Sequence, residues 1–187
     1  MKRRPTYQRL PLASRWRERI ILRDGRELLL RPIHPADIEP IRTGFALLTP
    51  EEVRMRYQHP MKSLAEDYLQ RLTHPRRGHE YALVLAEPLP PGEALIGGVA
   101  RMSRDDGARE ADFALLVSRI LTGHGLGRLL LRKLITYARR RRLDALRGDV
   151  LDDNAPMLHL ADSLGFRREA SDMPGSVRVR LPLLPTP

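Results

Sequence analysis

The stretch Glu110-Ala111-Asp112-Phe113-Ala114-Leu115-Leu116-Val117, followed after Ser118 to Leu121 by Thr122-Gly123-His124-Gly125-Leu126-Gly127, decides the fold. Its first eight residues read as a strand, and the glycine-rich run leads into an apolar, basic helix from about Gly125 to Arg142. A strand, a glycine turn and a helix in that order present free backbone N–H groups and the positive end of a helix dipole to an anion. Glycine at every second position lets the backbone approach a ligand closely, because no Cβ intervenes. Two nucleotide loops are excluded by spacing. A Walker loop needs Lys-Ser/Thr after its last glycine, and Gly127 is followed by Arg128-Leu129. The dinucleotide fingerprint would need glycine at 128 or 130, which are Arg128 and Leu130. Glycine spacing alone leaves a flexible turn ahead of a helix as the other reading.

A second motif follows about forty residues later: Asp153-Asn154-Ala155-Pro156-Met157-Leu158-His159-Leu160-Ala161-Asp162-Ser163-Leu164-Gly165-Phe166. Earlier in the chain stands Leu30-Arg31-Pro32-Ile33-His34-Pro35-Ala36-Asp37. The three together resemble the GNAT superfamily of N-acetyltransferases. That family carries a Gln/Arg-x-x-Gly-x-Gly/Ala loop between strand and helix, then an Asn-initiated helix ending in Leu-Gly-Phe. Thr122 stands where the family prefers Gln or Arg. The similarity covers about residues 20–181. It is greatest to the catalytic domain of bacterial protein lysine acetyltransferases, through Arg31-Pro32-Ile33, Ala111-Asp112-Phe113-Ala114 and the Met157–Ala161 helix.

The resemblance implies an α+β fold: a central mixed, mostly antiparallel sheet of six to seven strands with helices on both faces. It implies acetyl-CoA as cosubstrate and no metal. The backbone at Leu115 and Val117 would pair with the pantetheine arm. Thr122 and the amides of Gly123, His124, Gly125, Leu126 and Gly127 would hold the pyrophosphate, with Arg128 or Arg119 adding charge. Asn154 would meet the pantetheine, although helix capping explains it equally.

Acetyl transfer needs a neutral amine, and a lysine amine with a reference pKa of about 10.4 is almost all charged at neutral pH. A carboxylate acting directly or through water can take that proton. The resemblance places such an acid on the strand before the loop. Asp112 is the first candidate and Glu110 the second; two residues apart, they share a face of the strand. An exposed strand-end carboxylate is the plainer reading of either. Many family members carry a tyrosine seven residues after the Asn as the acid for the departing thiolate. Here that position is Ala161, with His159 a weak substitute.

Composition fits this reading. The 187 residues, 42% hydrophobic and 30% charged, suffice for one domain with a core. No apolar run approaches the roughly 18–20 residues that span a bilayer, and no apolar segment follows the basic N-terminus to make a secretory signal. The absence of cysteine excludes disulfides, thiolate metal sites and cysteine nucleophiles, and suits a reducing cytoplasm. The net charge of +10, nearly all its cations arginine, attracts anions. With 5% aromatics and no reader motif, nucleic-acid binding is disfavoured.

Residues 1–18 are expected to form an irregular arm, 19–182 a single domain and 183–187 a tail. Asp24-Gly25 marks a turn between Ile20-Ile21-Leu22 and Leu28-Leu29-Leu30. Helices are expected from Pro35, from the Thr49-Pro50-Glu51-Glu52 cap, and from the capping box Ser63-Leu64-Ala65-Glu66. Gly97-Gly98 predicts a bulge or close packing in the strand Ala94–Met102. The acceptor is a primary amine, on protein lysine or on a small molecule; assembly as a homodimer is left open. The alternative from another class is a non-catalytic GNAT-like acyl-CoA-binding or regulatory module.

Overall fold

The computed structural model describes residues 6–12, 14 and 16–183. Among these, one sheet of nine strands runs in chain order except at one end: β1 Tyr7–Pro11, β2 Glu18–Leu22, β3 Glu27–Pro32, β4 Glu80–Ala86, β5 Ile96–Ser103, β6 Glu110–Val117, β7 Ala145–Leu151, then β9 Ser176–Pro182, with β8 Arg167–Ala170 on the edge. All neighbours are antiparallel except β6 and β7. Five helices complete the fold: α1 Ile38–Ala46, α2 Pro50–Tyr57, α3 Glu66–Thr73, α4 Leu126–Arg140 and α5 Ala155–Asp162.

The sheet has more strands than expected. One addition is β1, inside the segment read as an irregular arm. It pairs with β2 from Tyr7↔Leu22 to Pro11↔Glu18. Residues 1–5, 13, 15 and 184–187 lie outside the described residues, and with them most of the expected tail. Among the described residues no helix is long and apolar enough to cross a membrane.

Two cores lie on opposite faces of the sheet. Strand β4 shows why: Leu83 and Leu85 point into the α4 side, while Ala82, Val84 and Ala86 point into the α1–α3 side. A strand buried on both faces reads as a continuous apolar run, not an alternating one. Helix α4 buries Leu126, Leu129, Leu130, Leu131, Leu134, Ile135 and Ala138 on the first face. Ile41 and Phe45 of α1, Val53 of α2, and Leu69 and Leu72 of α3 fill the second.

The local signals behave as read, with one exception. Thr49 caps α2 reciprocally with Glu52. The Gly97-Gly98 bulge is present as a register shift at Leu85/Ala86. A Cβ on Gly97 would lie 2.5 Å from the Leu121 side-chain tip, so a larger residue there must displace that side chain where the bulge meets the loop after β6. The exception is Ser63, which does not cap α3; the helix starts two residues later from Ala65, without a side-chain cap. Leu64 is buried in the second core instead, which keeps the capping-box residues out of helical register.

The buried ion pair Arg31–Asp37 fixes the start of α1. Arg31 donates to both Asp37 oxygens at 2.6 and 2.8 Å, and His34 N–H donates to Oδ2 at 2.8 Å. Burial alone would raise the Asp37 carboxyl; Arg31 and the His34 amide outweigh it and hold its pKa below the usual range.

Candidate active site

Strands β6 and β7 pair at Glu110↔Ala145, Ala111↔Leu146 and Asp112↔Arg147, and no further. Beyond that point β6 stays on β5 as far as Val117↔Gly98, and β7 stays on β9 as far as Leu151↔Ser176. The two strands therefore part after Asp112. Residues 113–117 keep a strand partner on one side only among the described residues, and alternate N–H and C=O groups of β6 border the opening. Such an edge can accept an extended amide-bearing chain as an added strand. At the root of the fork a Cβ on Gly148 would lie 3.0 Å from the Phe113 ring, which packs edge-on against Phe166 at 5.4 Å.

The glycine loop follows directly. A short 3-10 turn, Arg119–Leu121, leads to Gly123 and Gly125, both left-handed at φ 79° and 81°. Leucine or alanine at either position would be strained. Among the described residues, none of the amides from Gly123 to Arg128 meets an acceptor in the protein. Together with the N-terminal end of α4 they form a patch of unspent donors. A Cβ on Gly127 would lie 3.4 Å from Leu160, 3.7 Å from Leu115 and 3.9 Å from Val117, ordinary van der Waals distances that place the loop beside β6 and α5. Thr122 turns its hydroxyl back onto Arg119 C=O at 2.8 Å. Arg128 donates to Ser163 Oγ at 2.6 Å and so lies along the C-terminal end of α5. Three groups that sequence reading passed over border the loop. Thr6 Oγ1 donates to His124 C=O, Arg26 donates to Ile120 C=O, and Tyr7 stands 3.8 Å from a Cβ built on Gly125.

The two strand carboxylates do share a face, and arginines from β7 and β9 meet them there. Arg147 Nε donates to Asp112 Oδ1 at 2.9 Å and its Nη1 lies 3.7 Å from Glu110. Arg180 Nη2 donates to Glu110 Oε1 at 2.6 Å, and this hydrogen bond, opposed by burial, lowers the Glu110 pKa. The Asp112 side chain is 54% exposed at the point where the strands separate.

Helix α2 bridges the opening. At its start Glu52 accepts from Arg119 N–H at 2.8 Å. In its last turns Arg54 donates to Asp153 at 2.7 Å, and at its left-handed C-cap Gln58 donates to Asp149 C=O on β7 at 2.7 Å. The helix thus ties the loop after β6 to β7 and to the turn before α5. Beneath it lie two cavities, of about 790 and 160 Å³, with Arg56, Tyr57 and Tyr68 in the walls of both. Asp112, Phe113 and Ala114 line the smaller.

On α5, Asn154 caps the helix by accepting from Met157 N–H at 3.2 Å. Ala161 is fully buried in the core and has no ionisable group, and His159 is exposed on the same helix. No cluster of metal-ligating side chains exists among the described residues.

The family model for the acetyltransferase (GNAT) domain matches residues 27–167. The chain belongs to the GNAT acetyltransferase family. Those residues run from β3 to the start of β8 and include the fork, the loop and α2. Among solved GNAT-fold structures, the GNAT domain of a Streptomyces lividans protein called PAT is 24% identical with a TM-score of 0.79, covering 92% of this chain and all of that one. The Salmonella typhimurium protein yncA, solved with its cofactor acetyl-CoA, is 20% identical with a TM-score of 0.66, over 86% of this chain and 96% of that one. A cAMP-binding acyltransferase from Mycobacterium smegmatis is 23% identical with a TM-score of 0.58; this chain is covered to 96% and spans about half of that one, at 49%.

Proposed function

We propose that this GNAT enzyme moves an acetyl group from acetyl-CoA to a primary amine by direct attack on the thioester. One observation carries the reading: the unspent amides Gly123–Arg128 stand at the end of a strand edge left open by the parting of β6 and β7. The pyrophosphate suits the amides, and the pantetheine amides suit the bare edge at Leu115 and Val117. Leu126 and Gly127 contribute through their backbone, and Asn154 through the side-chain amide nitrogen that its cap leaves over. Arg128, turned onto Ser163, adds long-range charge without direct contact.

In the transfer step the amine nitrogen attacks the carbonyl carbon, the C–S bond breaks, and the amine proton leaves to a base. We assign that base to Asp112, acting through water at the mouth of the fork, with Arg147 orienting the carboxylate. Glu110 is the weaker candidate, because Arg180 stabilises its charged form. A thiolate is a competent leaving group without an acid, since a free thiol has a pKa of about 8.5; this fits the burial of Ala161. The lack of an acidic side chain at Ala161 is the observation that favours the second reading, a module that binds acyl-CoA without turnover. The absence of cysteine and of a membrane-spanning helix among the described residues fits a cytoplasmic enzyme.

The test has two arms. Saturating acetyl-CoA should raise the melting temperature, since a ligand bound only to the native state stabilises it. Thiol release should then follow on adding peptide lysine or small amines. No thermal shift would end the transferase reading, and a shift with no thiol release from any acceptor would favour the binding module.

A further inference from the structure

The transferase reading leaves the acceptor class open, and the two cavities under α2 bear on it. The larger, about 790 Å³, is walled by Phe45, Leu48, Leu72, Val99 and Leu116 among other apolar groups. That is the size and character of a site for the body of a small molecule. A lysine arm presented by a folded protein would carry its ammonium tip against these apolar walls and bring no carboxylate with it. The smaller cavity, about 160 Å³, carries the polar groups Arg56, Arg101, Ser103 and Asp112.

The cations around it are not equivalent. Arg101 is paired with Glu80 at 2.7 Å, Arg54 with Glu51 and Asp153, and Arg147 with Asp112. Arg56 has no carboxylate partner among the described residues. It lies over the Tyr57 ring at 4.8 Å and reaches the Tyr68 hydroxyl at 3.3 Å. Stacking on one aromatic ring and contact with another holds the guanidinium fork in place with its charge unspent, an arrangement suited to a planar carboxylate. Asp112, the proposed base, lines the same small cavity and needs an ammonium group beside it.

We propose, resting on that transferase reading, that the acceptor is the α-amine of a free amino acid with a large aryl or branched alkyl side chain. An α-amino acid carries amine and carboxylate on one carbon, so both fit the small cavity, the carboxylate on Arg56 and the amine toward Asp112. Its side chain then enters the apolar cavity past Tyr57 and Tyr68. The acetylated product loses the ammonium charge and with it the attraction to Asp112, which favours release.

The experiment compares initial rates of thiol release from acetyl-CoA with phenylalanine, leucine, glycine, phenylalaninamide and a lysine peptide. Binding of phenylalanine to the protein saturated with CoA is measured separately by calorimetry. Phenylalanine and leucine should exceed glycine in kcat/KM by about 100-fold, and phenylalanine should exceed its amide by about tenfold or more through KM. Arg56→Gln should remove the preference for acid over amide, while leaving the thermal shift by acetyl-CoA intact; Arg56→Lys should restore part of it. Equal use of acid and amide, or preference for the lysine peptide, overturns the proposal and leaves the transferase reading standing. Failure of phenylalanine to bind while acetyl-CoA still raises the melting temperature also overturns it. Absence of any acetyl-CoA effect would instead remove the transferase reading itself.

Discussion

Asp112 and Arg147 meet twice: as the last backbone rung between β6 and β7, and as an ion pair with Nε to Oδ1 at 2.9 Å. The carboxylate is therefore fixed at the apex of the fork by the same residue pair that ends the parallel pairing. Asp112→Asn keeps the shape and removes the proton acceptor. We expect kcat to fall by about 10²–10⁴-fold, the range for a lost general base, with acetyl-CoA affinity unchanged in a thermal-shift titration. Retention of full turnover would take Asp112 out of the mechanism.

The left-handed loop makes a separate prediction. A Cβ on Gly123 meets nothing within 4 Å, so Gly123→Ala adds no clash and only the cost of φ 79°. That cost is about 1–2 kcal/mol. If the loop relaxes to avoid it, its amides turn and acetyl-CoA affinity drops by about tenfold, measured by calorimetry against an unchanged fold by circular dichroism.

Gln58 tests the bridge made by α2. It is left-handed at φ 64°, so Gln58→Gly relieves backbone strain while deleting the hydrogen bond to Asp149 C=O. The variant should be close to wild type in stability, within about 1 kcal/mol. Its KM for the amine should rise while the KM for acetyl-CoA stays put, as steady-state kinetics with each substrate varied would reveal.

The Arg31–Asp37 pair controls stability rather than chemistry. Arg31→Met leaves a buried carboxylate without its cation and should cost about 3–5 kcal/mol in urea unfolding. The Arg31→Met, Asp37→Leu double variant should recover most of that loss. The pH dependence follows from the lowered Asp37 pKa. Its contribution is present above the unfolded carboxylate value of about 3.9 and fades as pH falls toward the folded value. The double variant should show a shallower loss of stability below about pH 4 than wild type.

Gly97 links the sheet to the loop after β6. Gly97→Ala would place a methyl 2.5 Å from Leu121, so the side chain or the bulge must shift. The expected cost is about 1–3 kcal/mol, the range for overpacking a core, read as a lowered midpoint in thermal unfolding.

The sequence by itself determined the loop and most of the elements, though not β1 or the start of α3. The stripe Leu126, Leu130, Leu134 and Ala138, the Thr49–Glu52 cap, the Asp24-Gly25 turn and the glycines at 123 and 125 act within a few residues of one another, through the helical and strand periods and local dihedral limits. What only the tertiary structure decided is which charges meet. Arg147 lies 35 residues from Asp112, Arg180 lies 70 from Glu110, and Gln58 lies 91 from Asp149. Each contact depends on strand register, where a slip of one residue turns every side chain to the other face. Local pattern could therefore name the carboxylates but not their partners, nor show that α2 closes over the fork.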